Sequence, residues 1–330
     1  MKRMQKFIAS LCLVALMACG VCGCTVNNHV VYFSGGAGFG NVFRIGDLRC
    51  PLKEAKVYLA NYKNLYGTVG SVSLWDDDFD TVSMESSIKD SVISHLSNVY
   101  SFDLYARDQK ISLTKKEEAA IEDAAKEYYA SLSKEEVKYL RVSESDIQQM
   151  YKNYALAEKV YFTLMDTVDD EVSEDEARVM DAYVLFVTDK QLAQSIANKI
   201  AAGNEFETLV NTYSEKDKTV VSFGRHTYST EIESVVFQLN NGDISSMLSD
   251  EDGFYFFQCV NKYNEQLSEE NKSNVIAERK EELVHQIIAS QNETYYSHLN
   301  QKLWDKTSMN LDESITTDSF FEVLNSHISY

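Results

Sequence analysis

Proline is almost missing: Pro51 is the single one in 330 residues. Proline interrupts a helix because it lacks an amide donor and clashes with the preceding turn. Its near absence leaves long, unbroken helices open to this chain. Cysteine is scarce too. Four of the six, Cys12, Cys19, Cys22 and Cys24, crowd the N-terminus, which leaves Cys50 and Cys259 for the rest. That excludes a disulfide scaffold, and no Cys-x-x-Cys spacing follows residue 24 to hold a metal. Cys50 and Cys259 either pair once or stay as two semi-buried thiols; the apolar run Phe254–Val260 around Cys259 places it in a core. Positive charge is short: 31 Lys and Arg face 51 Asp and Glu, for a formal net charge of −20. Such a surface repels phosphate backbones, so nucleic acid is excluded as a partner. No apolar run approaches the ~20 residues that cross a bilayer as a helix. The glycines match no phosphate loop, and no βαβ unit follows Gly35-Gly36-Ala37-Gly38, so nucleotide binding is excluded as well. The acidic run Trp75–Asp80 lacks the spacing of a calcium loop and reads as solvated. No metal and no cofactor is expected.

What is present begins with a leader. Lys2, Arg3 and Lys6 precede an apolar stretch, Phe7–Met17, too short to span a membrane and suited to a signal peptide. Small residues and cysteines follow, as Leu16-Met17-Ala18-Cys19 and Val21-Cys22-Gly23-Cys24. The pattern resembles a bacterial lipoprotein signal, residues 1–23, with Cys24 as the lipidated mature N-terminus and Cys19 as the alternative. Loss of the three leader cations makes the mature chain more negative still, so acyl chains must supply the membrane attachment.

Residues 24–50 read as a tether and short strands, and 51–172 as a helical region. Ile88, Val92, Leu96, Val99 and Leu104 recur at helical spacing. Thr114 with Glu117, Ser133 with Glu136, and Ser173 with Glu176 have the spacing of capping boxes. The aromatic run Tyr151–Met165 is either the core of a bundle or an apolar groove for unfolded chain. A charged, amphipathic stretch, 268–306, predicts one long helix packing on the helical region, with Ile276, Leu283, Ile287, Tyr295, Leu299 and Leu303 in phase. Residues 307–330 read as a tail. The aromatic content of 12% and hydrophobic content of 44% suffice for packed cores.

Residues 177–264 carry a distinct order. A strand, Met180–Thr188, leads to A-x-x-I-x-x-x-I-x-x-G-x-x-F-x-x-L-x-x-x-Y-S, with a stop at Gly203 and a second helix capped by Asn204 with Glu207. Phe223-Gly224-Arg225, then Val235-Val236-Phe237-x-Leu239, then Gly242-Asp243-Ile244-Ser245, and a strand from Gly253 to Lys262 complete it. In this order and spacing the segment resembles the parvulin (PpiC-like) peptidyl-prolyl isomerases, and the whole chain resembles PrsA-type foldases of Gram-positive bacteria and SurA-like chaperones. The resemblance implies an α+β protein, with a helical chaperone domain formed by N- and C-terminal helices and an inserted β-α-α-α-β-β module. It implies a foldase, lipid-anchored on the outer face of the cytoplasmic membrane. Unfolded or newly secreted polypeptides would be its partners; a homodimer stays open.

Rotation about a prolyl amide faces a barrier of about 18–20 kcal/mol and needs no covalent intermediate. The catalyst must bind the twisted amide better than the planar one, with an apolar cup for the ring and polar groups beside the amide. The resemblance assigns two histidines, a Cys or Asp, and a Met–Phe cup to that task. Here those positions fall on Tyr183 and Tyr255, near Lys216 or Asp217, and on Tyr228 and Ile232. Tyr183 and Tyr255 are thus the candidate catalytic pair, through their hydroxyls. Phe223, Tyr228, Ile232 and Phe237 are the candidate binding residues. His226, in the loop, is read as a surface residue. Two functions remain open: an isomerase, or a holdase whose parvulin frame only binds peptide.

Overall fold

The computed structural model describes residues 36–66, 68–69, 72–73, 81–216 and 219–330. The leader with Cys19 and Cys24, the run Trp75–Asp80 and Asp217 lie outside them. The chain divides into two compact units, one of residues 1–167 with 281–330 and one of residues 168–280.

The first unit starts with β1 (Asn41–Ile45) and β2 (Leu48–Pro51), an antiparallel hairpin, and continues without a linker into α1 (Leu52–Tyr66). The two-residue strands β3 (Thr68–Val69) and β4 (Val72–Ser73) pair next. Four helices follow: α2 (Thr81–Gln109), α3 (Lys115–Ser131), α4 (Lys134–Leu140) and α5 (Glu144–Met165). The helical periodicity of α2 is met, since Ile88, Val92, Leu96, Val99 and Leu104 are all buried. Thr114 and Ser133 cap α3 and α4 reciprocally with Glu117 and Glu136. A third box, Ser143 with Asp146, opens α5. Tyr151, Tyr154, Tyr161 and Leu164 of α5 are core, which decides that run in favour of packing.

Two expectations fail in this unit. The long C-terminal helix does not persist to Trp304. It is α9 (Glu265–Thr294), and the chain then forms β9 (Ser297–Leu299), which pairs antiparallel with β1 to give the sheet order β2-β1-β9. Helical phase at Tyr295 and Leu299 was coincidental: the Gly46 amide donates to the Tyr296 carbonyl at 3.0 Å and the Asn300 amide to that of Val42 at 2.7 Å. Cross-strand partners outcompete the helical ones for these backbone groups. Nor are residues 307–330 a tail. After α10 (Gln301–Asp305), Met309, Leu311 and Ile315 are buried, and α11 (Phe320–His327) places Phe320, Phe321 and Leu324 in the core. Glu136, almost fully buried, takes the amides of Ser133, Thr316 and Thr317, which tie this segment to α4.

The second unit has β5 (Met180–Val187), α6 (Lys190–Ala201), α7 (Phe206–Tyr213), β6 (Val220–Phe223), α8 (Thr230–Val236), β7 (Leu248–Ser249) and β8 (Phe254–Asn261), joined to the first half of α9. The class is α+β, as expected, but the order gains a strand, β6, which ends on the Phe of Phe-Gly-Arg. The sheet is antiparallel throughout, ordered β6-β5-β8-β7. Gly203 ends α6 with φ +80°, a left-handed turn that suits glycine. Asn204 does not cap α7; its side chain donates back to the Lys199 carbonyl, and Glu205 takes the cap position. Ser173 and Glu176 bond reciprocally but close only a single turn. Cys50 and Cys259 are both free and buried. Among the described residues no helix is long and apolar enough to cross a membrane.

Candidate functional site

β5 and β8 run antiparallel, with Val184 opposite Phe257 and Phe186 opposite Tyr255. Side chains alternate across a sheet, so Ala182, Val184 and Phe186 share a face with Tyr255, Phe257 and Cys259. The other face carries Tyr183, Leu185 and Val187 with Phe254 and Phe256. α8 covers the first face, and α6 and α7 cover the second.

The two tyrosines expected to act together are therefore on opposite sides of the sheet. Tyr255 belongs to the α8 face; Tyr183 packs, half-buried, on the α6–α7 face. There partial desolvation and the nearby Glu207 carboxylate raise its phenol above the ordinary value. The reason for the failure is register. A shift of one residue along a strand sends a side chain to the opposite face, and Val184 and Phe186, not Tyr183, share the face of Tyr255.

The other candidates do converge. Phe223, Tyr228, Ile232, Phe237 and Tyr255 form one cluster with Phe186 and Phe257. Tyr228 stands edge-on to three rings, with centroids 5.0 Å from Phe223, 5.1 Å from Phe257 and 5.9 Å from Tyr255. Such edge-to-face pairs add about 0.5–1.5 kcal/mol each beyond area burial. Tyr228 is only half-buried, and its backbone amide donates to the Glu233 carboxylate at 3.0 Å. Ser229 caps α8 and so sets where that helix begins. Ile232 and Phe223 are buried beneath the rim.

The word Tyr213-Ser214 places the remaining polar group. The Ser214 hydroxyl accepts from the Phe186 amide at 3.3 Å, and the Glu215 amide donates to the Phe186 carbonyl at 2.9 Å. This lays Lys216 along the end of β5. Its ammonium sits 4.1 Å above the Phe186 ring and donates to the Tyr255 hydroxyl at 3.4 Å. Burial, with Asp250 and Asp252 adding to it, pushes the Tyr255 phenol further up, so it stays a neutral hydroxyl. Gly253 makes the close approach of β8 feasible: a Cβ there would lie 2.8 Å from the Val187 carbonyl oxygen and 2.9 Å from the Phe186 ring.

The result is an aromatic face with one half-open tyrosine ring at the rim and, at its edge, one neutral hydroxyl beside one ammonium. It can stack on an apolar ring and donate to an amide. Nothing in it supplies a nucleophile poised next to a base. His226 is exposed, with φ +66°, and sits in the turn after Arg225. Among the described residues no group of His, Cys, Asp and Glu is placed to hold a metal ion. Sequence reasoning missed Phe186 and Phe257; their membership follows from the alternation of β5 and β8 once the register is known.

The chain is similar to several known proteins. Residues 187–261 match the rotamase family, PPIC-type PPIASE domain. The chain is 22% identical over 265 residues to the foldase protein PrsA of Caldanaerobacter subterraneus subsp. tengcongensis, a match covering 72% of this chain and 85% of that one. Among solved structures, a peptidylprolyl isomerase (PrsA) from Bacillus cereus aligns with 16% identity and TM-score 0.43, over 80% of this chain and 99% of that chain. The corresponding protein of Bacillus anthracis aligns with 16% identity and TM-score 0.39, over 60% and 96%.

Proposed function

We propose that this chain, which carries a PPIC-type peptidyl-prolyl isomerase domain at residues 187–261 and is PrsA-like along most of its length, is an extracytoplasmic foldase for newly secreted polypeptides. The observation that supports a working site is the rim formed by Tyr228 over Tyr255 and Phe257, with Lys216 at its edge. The proline ring of a client stacks on Tyr228. As the amide twists it loses conjugation and the lone pair localises on the prolyl nitrogen, to which the Tyr255 hydroxyl and Lys216 ammonium can donate. One hydroxyl and one ammonium thus replace the histidine pair of the family.

The test is isomerisation of a short proline peptide by the full chain. Tyr255→Phe and Tyr228→Ala are each expected to lower the acceleration about tenfold, the loss of one hydrogen bond or one ring contact. Unchanged rates in both variants would overturn the site. A second reading is favoured by the burial of Tyr255, which is only 2% exposed: a holdase that grips peptide without twisting it. Suppression of client aggregation regardless of proline content, with no acceleration in the unmodified chain, selects that reading.

Attachment through a lipid on Cys24, with Cys19 as the alternative, completes the proposal. A Cys24→Ala chain is expected to leave the membrane fraction; retention there, with the mature N-terminus read by mass spectrometry at Cys19, would reassign the anchor.

A further inference from the structure

The second unit holds a cleft of ≈ 410 Å³ that shares Phe237 with the isomerase site but is otherwise lined by residues that site does not use, among them Asp175, Arg178, Leu239, Asn240 and Lys262. It lies at the far end of β8 from Tyr255, where β8 ends and α8 has finished. Its charges are unusual for this chain. Arg178 is locked from behind: its Nε donates to the Lys262 carbonyl at 2.8 Å, and its guanidinium lies 5.5 Å over the ring of Phe237. Arg225 lies 4.1 Å over the same ring. Asp175, the carboxylate nearest to both, is committed to Arg225 at 2.6 Å and stands 3.9 Å from Arg178, beyond hydrogen-bond reach. Among the described residues the Lys262 ammonium donates to the Asn240 side-chain oxygen alone, at 3.4 Å. A fixed guanidinium fork and an ammonium therefore face one opening with their donors little used. Within the lining, Arg178 and Lys262 stand against Glu174 and Asp175, with Asp175 drawn to Arg225 outside it and Asp243 held by Asn240, a balance that is unusual in a chain of net charge −20.

We propose that this cleft binds a carboxylate carried by a polypeptide, an acidic side chain or a chain terminus, with the neighbouring apolar side chain on Leu239. The choice of a polypeptide rests on the reading of this unit as one that handles client chains. The guanidinium presents two parallel N–H groups to a carboxylate, and the Lys262 ammonium adds a second donor beside it. Because the rest of the surface is acidic, this cleft is where an acidic client segment is tolerated, and its grip should weaken with salt.

The experiment is calorimetric titration of the full chain with three acetylated peptides of one apolar sequence. One carries an internal Glu and an amidated end, the second an internal Gln and a free terminal carboxylate, the third an internal Gln and an amidated end. At least one acid is expected to bind about tenfold tighter than the neutral peptide, and the better acid identifies the source. Lys262→Gln, at an exposed position that leaves the fold intact, and Arg178→Gln should each remove most of that preference. Equal or unmeasurable binding of all three peptides, or a preference that survives both substitutions, overturns the inference. Isomerisation of a proline peptide, followed in parallel, reports on Tyr255 separately. Carboxylate preference without isomerisation would sink only the isomerase site; isomerisation without the preference would sink only this cleft.

Discussion

Phe320→Ala is expected to cost the helical unit about 3–5 kcal/mol, the range for removing a fully buried phenylalanine. Phe320 lies in what reads from sequence as a tail, yet it is 0% exposed. Its ring centroid is 4.5 Å from that of Tyr151, 5.2 Å from Tyr128 and 5.4 Å from Tyr58, so it joins α1, α3 and α5. Its backbone is committed too. The amide donates to the Asn61 side-chain oxygen at 3.0 Å, and the carbonyl accepts from the Tyr151 hydroxyl at 2.7 Å. Removing the ring leaves a cavity among aromatic walls held by other contacts, so little collapse is available to offset the loss. Urea unfolding followed by tyrosine and tryptophan fluorescence measures the effect. A change below about 1 kcal/mol would mean that the C-terminal segment is not part of the cooperative core. Glu322→Ala, on the exposed side of the same helix, serves as the control and should move stability by less than about 0.5 kcal/mol.

The second large effect concerns pH. Glu54 and Glu158 are buried in the same core, and burial raises their carboxyls to about 7 and about 8, respectively. The hydrogen bond from the Tyr100 hydroxyl to Glu54, at 2.7 Å, and the Tyr154 hydroxyl near Glu158 oppose that rise without cancelling it. Their neighbours include no cation that would stabilise the ionised forms: Glu54 is next to Tyr58, Asp103 and Cys50, and Glu158 is next to Tyr154 and Tyr330. Both folded values lie above the ordinary 4.5. The protonated core is therefore fully stable below about pH 4.5, and stability falls as pH rises toward 7–8. Each group contributes on the order of 3–5 kcal/mol to that fall. His95 acts in the opposite direction, because burial lowers it to about 3 and neutral imidazole must be protonated on unfolding in acid. The comparison therefore has to be made variant against unmodified chain at each pH. Glu158→Gln is expected to match the unmodified chain near pH 5 and to exceed it by a few kcal/mol at pH 8 in urea unfolding. Parallel stability–pH curves for the two proteins would show that Glu158 is not buried as a neutral acid.

How much of this was legible beforehand depends on the range over which each signal acts. The period of Ile88, Val92, Leu96 and Val99 found α2, because helical burial is set by neighbours three and four residues away. The boxes at Thr114 and Ser133 found two helix starts for the same local reason. At Ser173 the same chemistry closed one turn and no helix, since the chain enters strand β5 at Met180 before further turns can form. The words of the parvulin-like segment placed β5, α6, α7, α8 and β8 correctly, and Phe223, Tyr228, Ile232, Phe237 and Tyr255 did come together. Strand β6 was missed, for it is four residues long and is defined only by its pairing with β5.

By itself, then, the sequence determined the α+β class, the acidic surface and the helices that carry their own caps and periods. These rest on interactions within a few residues of the chain or on composition. Tertiary structure alone decided which side of the sheet Tyr183 occupies, that residues 297–299 leave a helical pattern to pair with β1, and that Phe320 is core. Each of those outcomes turns on a partner distant in sequence, Tyr255 against Phe186, Leu299 against Phe43, Phe320 against Tyr151. An alternating strand shifted by one residue, or a backbone amide offered a better acceptor, changes the answer without changing any local pattern.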